Sequence, residues 1–249
     1  MRLEGKRAVV TGAAGALGRL IAAALATEGA SVAGADIDEA GLEATARLVQ
    51  QQGQRAQSVV VDLTDHDAVM GTLGAATALW GGTDILVNCA GGGTVSFFHD
   101  MNYETWASQI NRNLSSVFSA TRAVLPAMLA QRSGRVINIS SVAAIAGGRL
   151  VRGATAYAAA KAGVVGLTKA LAIEVAEHGI TVNCLAPGAQ DTPPRAKDTA
   201  EVRDALLSLI PTRRLGRPED LAQVVVFLAA PEAVNITGVI LPLDGGHSI

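Results

Sequence analysis

The segment Thr11-Gly-Ala-Ala-Gly-Ala-Leu-Gly18 constrains the fold of this 249-residue chain more than any other. It leaves a short β-branched run, Arg7 to Thr11, and opens an Ala/Leu-rich stretch, Ala16 to Glu28. Glycines at a strand-to-helix turn let the backbone approach a phosphate, and the helix start offers unpaired N–H groups and a positive dipole end. The turn therefore predicts a βαβ unit with a phosphate site. Gly and Ala also fill ordinary turns, so the rest of the chain has to agree.

The pattern repeats. Ser31 to Asp36 reads as a second strand followed by a helix through Gln51, and Gln57 to Val61 as a third followed by a helix from Asp65 to Trp80. Asp84 to Asn88 is a fourth strand, with a helical stretch from Tyr103 to Leu129. Arg135 to Ser140 precedes a long helix, Thr155 to Glu177, and Thr181 to Leu185 and Val239 to Leu243 complete the strands. Apolar strands separated by helices indicate a parallel sheet covered on both faces, and right-handed crossovers wind it doubly. The expected class is α/β: a Rossmann-type doubly wound parallel sheet of about seven strands. No repeat or linker interrupts it, so residues 1–249 are expected to form one NAD(P)-binding domain with a substrate loop or lid around 187–215. The chain is 49% hydrophobic but only 3% aromatic, so Ala, Val, Leu and Ile must fill the core.

A net charge of −2 gives no basic bias toward nucleic acid. No apolar run reaches the roughly eighteen residues of a membrane span. Strand one follows Met1 so closely that no signal peptide is expected, which makes the cytoplasm the expected location. Cys89 and Cys184 form no disulfide framework and no metal-ligand spacing; they read as small buried hydrophobes.

Ligands of doubly wound sheets bind beyond the carboxyl ends of the strands. Gly12, Gly15, Leu17 and Gly18 form the phosphate turn, with Arg19 as a further candidate contact. Asp36 ends strand two, eighteen residues after Gly18. A carboxylate there accepts from both ribose hydroxyls and repels a 2′-phosphate, and no basic residue directly follows it, so NAD is expected rather than NADP. Asp38 is the alternative cap for the next helix. Asp62, beside Leu63, is placed to meet the adenine amino group or to cap a helix, a task open to Thr64 and Asp65 as well. Asn88, Ala90 and Gly91 end strand four with small residues where adenosine can lie, and Asn88 can equally tie strand ends together.

Tyr157 and Lys161, four residues apart, share one helix face. A fixed positive charge lowers a phenol from its ordinary pKa of about 10. Such a tyrosine can exchange a proton with an alcohol or ketone as hydride moves. Lys161 can also bond the nicotinamide ribose, and Ser141 offers a short donor for the substrate oxygen. A Tyr-x-x-x-Lys pair alone arises by chance; Ala162-Gly163 after it and a Ser-Ser turn before it argue against chance here.

Taken together, the chain resembles the short-chain dehydrogenase/reductase family over essentially its full length. The resemblance rests on Thr11 to Gly18, Asn88 to Gly91, Asn113-Leu114, Ile139-Ser140-Ser141, Tyr157 to Lys161, Asn183 to Gly188 and Asp244-Gly245-Gly246. It implies that Ser141, Tyr157 and Lys161 are catalytic, with Asn113 completing a proton relay through a water near Lys161. It also implies that Pro187, Gly188 and Thr192 cover the nicotinamide amide. A homotetramer would form on the helices at Asn113 to Leu129 and Thr155 to Glu177, with the chain end. Three departures stand out. Ala16 replaces a glycine, with Gly15 one position earlier; Cys89 replaces a second Asn; and Ser141 lies sixteen residues before Tyr157, a longer spacing than usual, with Ser140 as fallback.

The extra residues fall in 147–153, which carries Arg149 and Arg152, while Arg195 follows Pro193-Pro194. Guanidinium groups grip carboxylates, although these three also fit surface or subunit contacts. The Pro-Pro-Arg loop resembles that of bacterial dehydrogenases acting on cyclic cis-diol carboxylates. Phe97, His99 and Trp106 either approach the pocket or pack helices. The expected function is NAD-dependent interconversion of a secondary alcohol, cyclic or acidic such as a diol carboxylate, and its ketone. The alternatives are a 3-oxoacyl-type carbonyl reductase and a non-catalytic dinucleotide sensor, the latter weakened by the presence of Tyr157 and Lys161. A nucleotide-sugar epimerase is weaker still, because the chain is short for its substrate domain.

Overall fold

The computed structural model describes residues 1–149 and 151–249; Leu150, inside the 147–153 segment, lies outside the described residues. Seven strands form one parallel sheet: β1 (Arg7–Thr11), β2 (Ser31–Asp36), β3 (Ala56–Val60), β4 (Ile85–Asn88), β5 (Gly134–Ile139), β6 (Ile180–Pro187) and β7 (Ile240–Leu243). Their spatial order is β3-β2-β1-β4-β5-β6-β7. Thr11 at the end of β1 is opposite Ala35 of β2 on one side and Asn88 of β4 on the other. The chain leaves β1 and β4 toward opposite edges of the sheet, which opens a crevice between their carboxyl ends.

Helices cover both faces, because strands buried on both sides need apolar partners on both. On one face α1 (Ala16–Thr27), α2 (Glu39–Gln51) and α9 (Pro218–Ala229) bury Ile21, Leu25, Leu42, Leu221 and Val225 against β1, β4 and β5. On the other, α3 (His66–Leu79), α5 (Ser116–Gln131) and α7 (Thr155–Val175) bury Leu73, Val124, Met128 and Ala172.

The helix expected from Tyr103 to Leu129 is divided into α4 (Tyr103–Ile110), a π turn (Asn111–Ser115) and α5. Such a wide turn tends to mark a functional position, and this one contains Asn113. Three helices were not expected from the sequence: α6 (Ala143–Ala146), α8 (Ala200–Ser208) and α9. For α9 the signals are Pro218 in the first turn, Glu219 and Asp220 at the positive dipole end, and one buried apolar face. The segment after β6 packs on its own small cluster of Ala189, Leu206, Ile210 and Leu215. Among the described residues no helix is long and apolar enough to cross a membrane.

Candidate active site

The glycine turn is held from two sides. Thr11 Oγ1 accepts from the N–H groups of Cys89 (3.1 Å) and Ala90 (3.2 Å), fastening the ends of β1 and β4 together. Gly12 sits at φ +69°, and a Cβ there would stand 2.7 Å from Ala90 Cα, so a side chain has no room. Behind the turn, Arg19 donates to Ala14 O (2.9 Å) and Thr45 Oγ1 (3.4 Å). It braces the loop from outside the cavity wall, rather than reaching toward a phosphate as considered above.

Helix α1 starts at Gly15 with no side-chain cap and no acid in its first turn. Its free N–H groups lie beside a cavity of about 840 Å³ walled by Gly12, Gly15, Ala16, Leu17 and Gly18 on this side. Asp36, Asp62, Leu63, Ala90, Gly91 and Thr192 continue the wall. Asp38 and Asp65 take the capping roles, accepting from Gly41 N and Ala68 N, both at 3.0 Å. Asp36 instead accepts from Ala14 N (3.1 Å), Ile37 N (2.8 Å) and Asp38 N (3.2 Å) at the cavity edge. The N–H and hydroxyl of Thr64 donate to Asp62 and hold its carboxyl below the usual carboxylate range. An uncapped helix start, a turn with no side chain at Gly12 or Gly15 and a carboxylate at the end of β2 fit the pyrophosphate and ribose of a dinucleotide.

One expectation for this cavity changes, and two residues join it. Asn88 is buried away from it: its Nδ2 donates to Asn138 Oδ1 (2.8 Å) and Thr121 Oγ1 (3.0 Å), tying β4 to β5 and α5. Its side chain belongs to the strand-tying reading, because the side chain of a strand end must point to one face or the other. Glu104 and Arg112, which the sequence reading passed over, do line the cavity. Arg112 also contributes to the lowered Asp62 pKa. Its only sequence signal is its place immediately before Asn113.

A second cavity, of about 480 Å³, adjoins the first; Leu17, Cys89, Gly91 and Thr192 line both. Ser141, Tyr157, Lys161, Pro187, Gly188 and Arg195 line it, with Gly147 and Val151 from the enlarged segment. Lys161 Nζ donates to Ile139 O at 2.8 Å, and burial lowers its pKa to about 8. Burial raises the Tyr157 phenol above its ordinary value, and the Ser141 hydroxyl pulls it partly back. This corrects the expectation that Lys161 lowers it: the ammonium nitrogen is 5.8 Å from the ring centroid, and removal from water dominates. Ser140 is spoken for, because its hydroxyl donates to Lys161 O at 2.8 Å, while Ser141 lies beside Tyr157.

Asn113 lies outside both walls but touches their junction. Its side chain exchanges hydrogen bonds with Gly92 N and O, both at 3.0 Å. A Cβ on Gly91 would come within 2.6 Å of Asn113 Oδ1 and 3.1 Å of Lys161 Nζ, so both groups crowd the same glycine. Cys184 is buried as expected, whereas Cys89 is only half-buried and lines both cavities; removal from water raises both thiols to about 11, which keeps them unreactive.

The expected carboxylate clamp does not form. Arg149 and Arg152 are exposed and lie outside the cavity wall. Arg195 is in the wall, but its guanidinium faces Asp198 at 3.0 Å. The intramolecular carboxylate three residues on takes the place of a substrate's. His99 likewise pairs with Asp100 (3.2 Å) and stacks on Phe97 outside the cavity. Trp106 lines a separate hollow.

A dinucleotide-type crevice that meets a half-buried tyrosine and serine and a buried lysine defines a class of oxidoreductases that work with a nicotinamide cofactor. Comparisons narrow the class. A family profile described as enoyl-(acyl carrier protein) reductase matches residues 12–248. The 3-oxoacyl-[acyl-carrier-protein] reductase FabG of Thermotoga maritima is 39% identical over 99% of both chains. That of Vibrio cholerae is 42% identical over 99% of this chain and 98% of its own. The (2S)-[(R)-hydroxy(phenyl)methyl]succinyl-CoA dehydrogenase subunit BbsD of Thauera aromatica is 38% identical over 100% and 99%. A Sinorhizobium meliloti protein assigned to the short-chain alcohol dehydrogenases superposes with a TM-score of 0.91 at 36% identity, covering 98% of this chain and 97% of its own. The chain belongs to the short-chain dehydrogenase/reductase family.

Proposed function

We propose that the protein is an NADH-dependent reductase of 3-oxoacyl-type substrates, interconverting a ketone and a secondary alcohol. The observation that carries this is the wall of the second cavity: Ser141 and Tyr157 stand in a largely apolar pocket whose one arginine is already paired. Such a pocket suits an acyl chain better than the diol carboxylate first expected. FabG proteins and the Thauera dehydrogenase are named for acyl thioester substrates, which supports the same choice.

When bound, the nicotinamide supplies or accepts the hydride. Ser141 Oγ and the Tyr157 hydroxyl would together hold the ketone oxygen. Tyr157, kept protonated by burial, would donate the proton as the oxygen becomes an alcohol. Lys161, anchored on Ile139 O, would orient the ribose and return the phenol's proton along the path that Asn113 borders. Pro187, Gly188 and Thr192 would cover the nicotinamide amide, as the family resemblance implies. Asp36 is the basis for choosing NADH, because a 2′-phosphate would meet its carboxylate. A homotetramer through α5 and α7 is supported by Phe118 and Ile173, exposed apolar side chains on those helices.

The test is reduction of acetoacetyl-pantetheine, followed through the absorbance of reduced cofactor, with NADH and NADPH in parallel. Turnover with NADH is expected. Preference for NADPH would remove the role given to Asp36, and tight NAD binding without turnover of any ketone or alcohol would favour a sensor.

A further inference from the structure

The mouth of the 480 Å³ cavity is apolar and open to water. Val95 and Val151 line the cavity and are nevertheless 60% and 40% exposed. Phe97 and Phe98, two and three residues beyond Val95, are 48% and 69% exposed. The two segments that carry these residues are joined: Ser96 N donates to Gly153 O at 2.9 Å. A Cβ on Gly153 would come within 3.0 Å of Val95 Cγ1, so the absence of a side chain lets the two segments close together. Phe98 also walls the separate hollow, of about 410 Å³, with Met101, Tyr103 and Trp106. The hollow begins three residues beyond Val95, at most about 11 Å of extended chain away. The chain has only four phenylalanines, and two of them are spent on this exposed rim. Contiguous exposed apolar surface of this kind marks binding grooves.

We propose that Val95, Val151 and Phe98 form a collar that selects substrates with a bulky apolar acyl tail. The tail would leave the catalytic cavity between the two segments and lie along Phe98 toward the hollow. This rests on the reductase reading above and adds the substrate class to it. The occupant is assigned as substrate because Val95 and Val151 belong to the catalytic cavity wall itself, and because Arg195 is paired while Arg149 and Arg152 lie outside that wall.

The experiment compares acetoacetyl-pantetheine with 3-oxodecanoyl-pantetheine as substrates of the intact enzyme and of Phe98→Ala and Val95→Ser/Val151→Ser variants. A covered methylene contributes about fourfold, so kcat/KM should favour the long substrate by tenfold or more in the parent, even with partial cover (an order-of-magnitude estimate). Each variant should cut that preference to about threefold or less, and Phe98→Ala, which lies outside the catalytic cavity, should do so with acetoacetyl turnover retained. In parallel, calorimetry reads the binding of decanoyl-pantetheine, which has no ketone to reduce. Equal use of both substrates by the parent overturns the collar. Preference unchanged in the variants, with an altered oligomeric mass, overturns it too and assigns the patch to a second copy of the chain. If neither thioester turns over, the reductase reading fails. Collar-dependent binding of decanoyl-pantetheine would still uphold the collar, and its absence would end both.

Discussion

Lys161 is the residue for which structure and chemistry pull hardest against each other, and Lys161→Met measures the tension. The side chain is almost fully buried, and its pKa falls from 10.5 to about 8. A difference of 10.5 − 8 = 2.5, at about 1.4 kcal/mol per tenfold, gives roughly 3 kcal/mol against the charged form at pH 7. The folded pKa lies below the unfolded one, so the unfolded chain binds more protons between about pH 8 and 10.5, and stability rises with pH across that window. Removing the amine should therefore relieve about 3 kcal/mol at pH 7 but only about 1 kcal/mol at pH 10. Against this stands the loss of the 2.8 Å bond to Ile139 O, worth about 1–2 kcal/mol when the carbonyl is left alone. The variant should thus be inactive yet more stable by about 1–2 kcal/mol at pH 7, a rise in Tm of a few degrees for a chain of this size. At pH 10 the advantage should vanish or reverse. Urea unfolding at the two pH values is the assay. A variant less stable than the parent at pH 7, or a stability difference that does not change with pH, refutes the reasoning.

Four further outcomes follow from the site. Tyr157→Phe should lower kcat by about 10²–10⁴-fold while the NAD Kd stays within about threefold, because only the proton donor is lost; equilibrium titration beside steady-state kinetics separates the two. Asp36→Ala should shift the NAD-to-NADP ratio of kcat/KM toward NADP by about tenfold or more, since hydrogen bonds to a charged group contribute roughly 1.5–3 kcal/mol; an unchanged ratio removes its role. Asn88→Ala should cost about 1–3 kcal/mol of stability by leaving Asn138 and Thr121 without their donor, with little change in NAD Kd; a large Kd change would return Asn88 to the cofactor site. For ketone reduction, kcat/KM should decline above about pH 8 as Lys161 loses its charge, and Lys161→Arg, if active, should move that decline out of range.

The sheet was legible because each strand is a short apolar run followed by a helix-period segment, a combination that only a covered parallel sheet satisfies. The interruption at Asn111 to Ser115 was not, because a π turn adds one residue to a turn without a proline or glycine to announce it. Helix α9 carries its signals in plain view in Pro218, Glu219 and Asp220. Asn88 shows the limit of another kind. Sequence places it at a strand end beside the crevice, but only the pairing with Asn138 at the same register decides which way its side chain turns.

The pair of Tyr157 and Lys161 could be read from spacing because one helix fixes both. Specificity could not, because it depends on segments far apart in the chain. Ser96 and Gly153 are fifty-seven residues apart in sequence and joined by one hydrogen bond. That contact brings Val95 and Val151 to the same mouth, while a contact three residues long, Arg195 to Asp198, removes the guanidinium that the sequence offered as a carboxylate anchor. The first contact adds apolar surface where an acyl tail can be held, and the second cancels a charge. Their combined effect moves the expected substrate from an acidic alcohol to an apolar acyl ketone, although neither alters the reaction that the tyrosine and lysine are placed to perform.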